Sequence, residues 1–417
     1  MRRERADDTH AMKIVMLSDL YPPFLGGIEM HVQSLSRELS ERGHRVTVYT
    51  IGRRDLPRYE DEGGVKIHRL AGLFPKIPFL YRDPARRWHA PARDWLISKR
   101  LAQIIEQESP DIIHTHGWIL YSVLPLKKNF KIPLVHTLHD YRLFCPKMML
   151  MKKNAICDDP LTRHCIPCMR HPYGLLRALF AYCGVRVNRN RLKSVDRFIA
   201  VSSFVKEAHE KHLAISDKEI IAIPNFHNPD TDKGEEKAEN PPDDFILFVG
   251  WLMPHKGVAV LIEAYQKLNT KTKLLIIGIE HPDHRYQSSE NILVVKNAPH
   301  PVVMGAMSRC RFAVFPSICP ESASTVAREA MSRKKAIIAS DIGGLKEVVA
   351  DGETGILIPP NDSDKLSEAI FYLLEKPEVA SRMGESGYRT FMENYTPDAV
   401  IPRIIEVYES LIGSSGA

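Results

Sequence analysis

Apolar residues along the chain fall into short uninterrupted runs separated by longer segments with a helical period. Ile14–Leu17 is one such run, followed by the Pro/Gly loop Tyr21–Gly27. Met30, Val32, Leu35 and Leu39 then recur on roughly one helical face, and Gly43 supplies a stop. Val46–Tyr49 is the next run. Strand, loop, helix and strand in close succession make a βαβ unit, which requires parallel strands and a right-handed crossover. Further strands are expected at Ile112–His114, Leu134–Thr137, Phe198–Val201 and Ile220–Ile223, completing a first α/β domain over residues 12–227. Residues 228–244 carry seven acidic residues and three prolines with no aliphatic run, which reads as an exposed linker. The pattern restarts at Phe245–Val249 and continues through Leu274–Ile277, Phe312–Phe315 and Ala336–Ala339, giving a second domain over 245–395. Residues 396–417 are expected to form a helix that packs back on the first domain. Two Rossmann-like units joined this way leave a cleft between them, a frequent place for ligands.

Composition narrows the class. Charged residues at 26% beside 44% apolar ones exclude a mostly disordered chain. A net charge of +6 from 57 basic and 51 acidic residues is too small to imply nucleic-acid binding. No run approaches the roughly 18 apolar residues of a spanning helix. The first 11 residues put acidic side chains where a signal peptide needs an apolar core, so they read as a disordered leader or a misplaced start. Seven unevenly spaced cysteines do not form a disulfide framework and suit a reducing cytoplasm.

Candidate chemistry sits in the loops after strands. Gly26-Gly27 precedes a helix whose free amides could face an anion, though a plain tight turn reads equally well. Lys256-Gly257 repeats the arrangement, against the reading of a solvated lysine beside a turn. Glu321 and Glu329 lie eight positions apart, with Ser324 and Thr325 at the start of the intervening helix. Carboxylates accept hydrogen bonds from vicinal hydroxyls, and the helix start suits a phosphate. Taken alone, the two glutamates also read as a dipole carboxylate and a solvated side chain.

The surrounding motifs resemble glycosyltransferase family 4, retaining enzymes of the GT-B fold. Pro320–Ala330 with its Glu-x7-Glu spacing is followed by Ala336–Ala339, Asp341–Glu347 and Asp351–Pro359 in the family's order. Tyr21–Glu29 is similar to its Gly-Gly-x-Glu loop, His139-Asp140 to its His-Asp/Glu pair, and Ile223-Pro-Asn225 to its Ile-Pro-Asn segment, with Phe226 in place of glycine. The resemblance implies that Glu329 holds the donor ribose and Glu321 the donor sugar. It also implies that Lys256 and the amides around Gly26, Gly27, Ser324 and Thr325 bind the diphosphate, and that His139 sits by the transferred sugar. His139 also reads as an ordinary core-edge histidine. Trp251 stands where the family usually has an arginine, leaving Lys256 as the principal cation. No cofactor is needed for catalysis, since retention is ascribed to front-face attack with the departing phosphate taking the acceptor's proton. The expected partners are a UDP- or GDP-sugar and a glycan or lipid-linked hydroxyl acceptor. A nucleotide-sugar epimerase or phosphorylase, or a non-catalytic sugar-nucleotide binder, stands as the alternative.

An insert over about 142–193 departs from this frame. Cys145, Cys157, Cys165 and Cys168 form a C-x11-C-x7-C-x2-C pattern that suits a structural Zn2+, against free or redox-active thiols. Arg142–Lys193 holds eleven basic residues against Asp158 and Asp159, a net +9, with Leu175, Leu176, Leu179, Phe180 and Tyr182 interleaved. Such a segment suits peripheral contact with an anionic membrane at its cytoplasmic face, or a charged surface helix whose apolar side covers the domain. RNA is a weaker third reading, because no RNA-binding motif accompanies the charge. Asp230-Thr-Asp232 mimics a metal-binding Asp-x-Asp but lies in the acidic linker.

Overall fold

Two parallel sheets, each sandwiched between helices, carry the fold in the computed structural model. It describes residues 11–414 apart from 25, 54, 82–86, 88, 154, 214, 217–218, 233–241 and 281–283. The proposed leader and most of the acidic linker therefore lie outside the described residues. The first sheet contains β1 (Lys13–Ser18), β2 (Arg45–Ile51), β3 (Tyr59–Glu62), β4 (Val65–Leu70), β5 (Ile112–His116) and β6 (Leu134–Leu138). A separate antiparallel hairpin, β7 (Met151–Lys152) and β8 (Ala155–Ile156), interrupts the chain before β9 (Arg197–Ala200) and β10 (Ile220–Ala222) complete that sheet. The strand order is β10-β9-β6-β5-β1-β2-β4-β3, parallel except for the β3–β4 pair. The second sheet is wholly parallel: β11 (Phe245–Trp251), β12 (Lys273–Ile279), β13 (Ile292–Lys296), β14 (Ala313–Phe315), β15 (Ile337–Ser340) and β16 (Gly355–Ile358). Its order is β13-β12-β11-β14-β15-β16.

Strand order places the ligand site. In the first sheet the connection reverses direction between β1 and β5, in the second between β11 and β14. Crevices form at such reversals, beyond the carboxyl ends of the strands. The loops that bear Gly26-Gly27, His139, Lys256 and Glu321 all leave those ends. Each sheet buries both faces, as apolar strand sequences such as Ile-Val-Met-Leu require.

The chain crosses between domains twice. It leaves the first domain after β10, builds the second, and returns in the helix Pro397–Ser414. That helix places Val400, Ile401, Ile404, Val407 and Tyr408 in one cluster with Met16, Val48 and Ile112 of the first sheet. Tyr408 Oη lies 2.6 Å from His114 Nδ1, inside that cluster. The two crossings touch where His227 N donates to Tyr395 O at 2.9 Å. Met30, expected on the apolar face of its helix, is instead 38% exposed and lines the interdomain cleft. The other three residues of that stripe are fully buried.

Candidate functional site

A cleft of about 700 Å3 separates the two domains. From the first domain it is lined by Gly26, Gly27, His139 and Asp140, and from the second by Trp251, Lys256, Glu321, Ser324, Thr325 and Glu329. The residues expected at a donor site therefore converge on one cavity, whereas the four cysteines lie elsewhere.

Glu321 is held by two donors. Lys256 Nζ and Ser317 Oγ each lie 2.5 Å from its Oε1. Burial opposes ionisation of this carboxyl, but Lys256 and the two hydrogen bonds outweigh it and keep its pKa below the usual value. Burial likewise opposes the charge on Lys256, and Glu321 outweighs it to raise the lysine's pKa. The loop is clamped at backbone level: Gly344 N donates to Glu321 O at 2.6 Å. Gly343 adopts φ +60 there, and a Cβ on it would stand 2.5 Å from Glu321 O and 2.6 Å from Glu321 N. Only glycine fits that approach without moving the glutamate.

Glu329 lies one turn into the helix Thr325–Ser332, where its carboxylate meets His300 Nε2 at 3.3 Å. Ser324 caps this helix, its Oγ accepting from Ala327 N. The hydroxyl proton remains to be donated, so capping and phosphate contact are compatible. Thr325 and Val326 line the cleft at the positive end of the helix. Lys256 belongs to a short turn, Pro254–Lys256, that ends at Gly257 with φ +74; a Cβ at Gly257 would collide with the Pro316 carbonyl. The loops after β11 and β14 are thus pressed together, which brings Lys256 to Glu321.

Across the cleft, Gly27 opens the helix Gly27–Glu41 and lines the cavity, with nothing within 4 Å of its Cβ position. The Glu29 carboxylate stands close beside Gly26. His139 is 7% exposed, and its Nε2 is hydrogen-bonded with His116 Nδ1 at 2.8 Å. Nδ1 has no hydrogen-bond partner among the described residues, so that nitrogen is the one left for a ligand. Burial, with His31 and Arg142 nearby, holds the His139 pKa well below its ordinary value, so the ring is neutral. His31 meets it edge-on at 5.1 Å. Asp140 does not face a ligand alone: it binds Arg142 Nη2 at 2.7 Å, and Arg142 Nη1 reaches Asp19 at 3.0 Å. Asp19 also accepts the amides of Trp118 and Ile119. Tyr141 next in sequence donates its hydroxyl to Pro320 O at 3.2 Å, tying the His139 loop to the Glu321 loop.

Ser317, His300, His31, His116 and Tyr141 were not singled out by sequence. Ser317, four residues before Glu321, was open to detection as a local donor; the others meet their partners only through the fold. Trp251 lines the cavity wall where an arginine was missing. Arg53 of the first domain also lines it, and it pairs with Asp55. The four cysteines lie in the β7–β8 region. Among the described residues, the group with donor atoms within 4.8 Å of one another there is Cys157, Asp159 and His164, rather than the four sulphurs. The Asp230–Asp232 turn lies in the short helix Pro229–Asp232.

Comparison with known proteins agrees with this architecture. Residues 25–231 match the model of Glycosyltransferase Family 4, and residues 230–390 that of Glycosyl transferases group 1. A Methanocaldococcus jannaschii protein described as an uncharacterized glycosyltransferase is 28% identical over 96% of this chain and 99% of its own length. Sucrose-phosphate synthase from Thermosynechococcus elongatus superposes with a TM-score of 0.74 at 20% identity, covering 96% of this chain and 100% of that one. Anabaena HepE in complex with UDP-glucose gives 0.68 at 17% identity, with 96% and 100% covered. These neighbours share the GT-B fold with this chain.

Proposed function

The chain belongs to glycosyltransferase family 4 and is a glycosyltransferase; from that premise we propose that it moves a hexose-type sugar, with retention, from a nucleoside diphosphate to a hydroxyl acceptor. The observation that carries the reading is the Lys256–Glu321–Ser317 cluster facing the Thr325 amides across one cavity with Glu329. In this reading Glu329 accepts the two ribose hydroxyls, and the Thr325 and Val326 amides meet the diphosphate. The UDP and UDP-glucose held by HepE are the chemistry such a cavity would take.

In the step itself the bond from the anomeric carbon to the phosphate oxygen breaks, and a bond from that carbon to the acceptor oxygen forms. The acceptor's proton passes to the departing phosphate. Protein groups stabilise the charge that develops on the leaving group: Lys256 with its raised pKa, and fixed amides that need no reorientation. Glu321 orients hydroxyls of the sugar while it positions Lys256. Neutral His139 offers Nδ1 to the sugar from the opposite wall. No side chain is assigned as a nucleophile.

The acceptor side bears on location. No described helix is long and apolar enough to cross a membrane. The helix Leu175–Asn188 turns Phe180 inward against Phe74 and buries Ala178 and Val185. Leu175, Leu176 and Leu179 point outward at 47%, 72% and 37% exposure, and Arg186 and Arg189 are exposed further along the segment. This arrangement suits shallow contact with an anionic bilayer and a lipid-linked acceptor.

Thermal-shift measurements against UDP- and GDP-sugars identify the donor, because native-state binding raises the melting temperature. Product NMR with the stabilising donor then reads the anomer. Inverted product, or free nucleoside diphosphate released at the same rate without acceptor, contradicts the reading. Flotation with vesicles should show binding that rises with anionic lipid and falls with salt; equal binding to neutral vesicles removes the electrostatic part.

A further inference from the structure

Glu347 ends the turn that begins at Gly343, yet it is not among the residues that line the cleft. Its carboxylate reaches the other domain instead. Oε2 accepts from Ser203 N at 2.7 Å and Oε1 from Phe204 N at 2.6 Å. Those amides open the helix Ser203–Leu213, which follows β9 in the first domain. The first turn of that helix has no acidic residue of its own. Ser202 Oγ accepts only the next amide, Val205 N, at 3.2 Å. The carboxylate that complements the positive end of this helix is therefore supplied by the second domain.

The Gly343–Glu347 turn also grips the site. Gly344 N donates to Glu321 O at 2.6 Å, and Gly343 pairs with Glu321 as an isolated bridge. Leu345 and Val348 are buried in one cluster with Ala327, Ala330 and Met331 of the helix that carries Glu329. A shift of Glu347 thus carries the Glu321 loop with it.

Its first-domain partner is fixed as firmly. β9 pairs with β6, so the helix start at Ser203 stands beside the loop of His139 and Tyr141. Phe204 packs on the first core, as does Ala323 of the second domain, and its ring meets Tyr141 edge-on at 6.2 Å. Glu347 also lies beside the chain crossings: its carbonyl oxygen is 3.5 Å from Tyr395 Oη, and Tyr395 O accepts from His227 N. Rotation of one domain on the other displaces atoms least near the crossings, so a contact there can stay made while the cleft opens and shuts. The carboxylate is exposed to solvent, so its charge bears little desolvation cost.

We propose that Glu347 is a positioning residue: docked on the amides of Ser203 and Phe204, it is the pivot that sets the second domain on the first and holds Glu321 in register with His139 across the cleft. Without it the helix loses its complement and the domains lose a fixed axis. The effect on catalysis rests on the reading of Glu321 as the group at the sugar; the pivot itself does not.

Amide hydrogen exchange on the full chain reads the pivot with no sugar substrate. Protection at Ser203 and Phe204 should be equal with and without saturating UDP or GDP. Glu347→Ala should speed exchange at both amides and also at Gly344, in the other domain. Glu347→Gln keeps an acceptor oxygen and should restore most of that protection. In kinetics with the donor found by thermal shift, Glu347→Ala should cut turnover by roughly ten- to hundredfold, the scale of a small misplacement at the reacting centre. Affinity for free nucleotide should stay within about twofold, since the chemical step and not the binding is disturbed. Ser203→Asp gives the helix an acid of its own. Added to Glu347→Ala, it should recover the melting temperature and leave turnover low. Turnover restored by Ser203→Asp, or faster exchange confined to the Ser203 helix, would reduce Glu347 to a cap and overturn the proposal. Protection at Ser203 that appears only with nucleotide would overturn it too, making the contact a latch. Should no sugar be transferred at all, the exchange pattern still decides the pivot, so that failure is told apart from this one.

Discussion

Lys256 Nζ and Glu321 Oε1 lie 2.5 Å apart, so the cation expected at the donor phosphate and the carboxylate expected at the sugar are one ion pair. Their side chains are 24% and 14% exposed, both toward the cleft. Removing either therefore leaves the other without its main partner. Glu321→Gln should cut turnover by about a hundredfold, the scale of losing one group that stabilises the transition state. It should leave affinity for free UDP or GDP within about twofold if Glu321 touches only the sugar. Lys256→Ala should weaken diphosphate binding by roughly ten- to hundredfold and spare a plain nucleoside. Calorimetry and steady-state kinetics on the two single variants and the double variant separate these effects. Additive losses would argue against the coupling seen in the structure.

Glu329 provides an independent check. With its carboxylate on the ribose, as proposed, Glu329→Ala should weaken donor and free nucleotide alike, by about 1.5–3 kcal/mol for a lost charge-assisted hydrogen bond. His300→Ala should cost less, because that ring is 45% exposed and reaches the Glu329 carboxylate only at 3.3 Å. Unchanged nucleotide affinity in a folded Glu329→Ala protein would remove the ribose assignment.

Buried histidines make the first domain acid-sensitive, five of them gathered around His116 and His136. Burial lowers His31 to about 4 and His114 to about 3, and holds His116, His136 and His139 well below the ordinary value. In the unfolded chain each titrates near 6.5. Their folded pKa values are depressed, so the stability they retain is complete above pH 6.5 and is lost as pH falls toward the folded values. Each costs up to about 1.4 kcal/mol per pH unit in that window. Denaturant midpoints taken from pH 7 to pH 5 should fall steeply. His114→Gln should flatten that slope; a midpoint independent of pH would contradict the buried, neutral cluster.

Gly343→Ala tests the clamp on the Glu321 loop. An added methyl meets two backbone atoms of Glu321 and occupies a left-handed conformation, so we expect a loss of about 1–3 kcal/mol in stability. Turnover should fall along with it, whereas Gly352→Ala, at φ +76 in open space, should lose stability with turnover kept. Equal turnover in the two variants would separate the clamp from the chemistry.

The legible parts of the sequence were those whose physics is local. Ile14–Leu17 and Phe245–Val249 read as strands because a parallel strand buried on both faces is a plain apolar run. Tyr59–Glu62 escaped notice because an edge strand of sequence Tyr-Glu-Asp-Glu has no such signature. Glu321, Ser324 and Glu329 were legible through their spacing on one loop and helix. The His116–His139 contact was not, because it joins neighbouring strands 23 positions apart. The Tyr141–Pro320 bond spans 179 positions and both domains. Met30 was misassigned for a related reason: the helical period marks a face as apolar without saying whether core or cleft lies opposite.

The return of the last helix to the first sheet changes what counts as a separable piece of this protein. With Tyr408 bonded to His114 and Val400, Ile401 and Ile404 inside the first core, the second domain is topologically an insertion into the first. A chimaera joined once, within 228–244, would import a foreign terminal helix against a sheet that had lost its own cover. Exchange of donor specificity between relatives should instead use two breakpoints, one near His227 and one near Tyr395. There the two crossings already touch, and a transplanted domain would leave the receiving core whole.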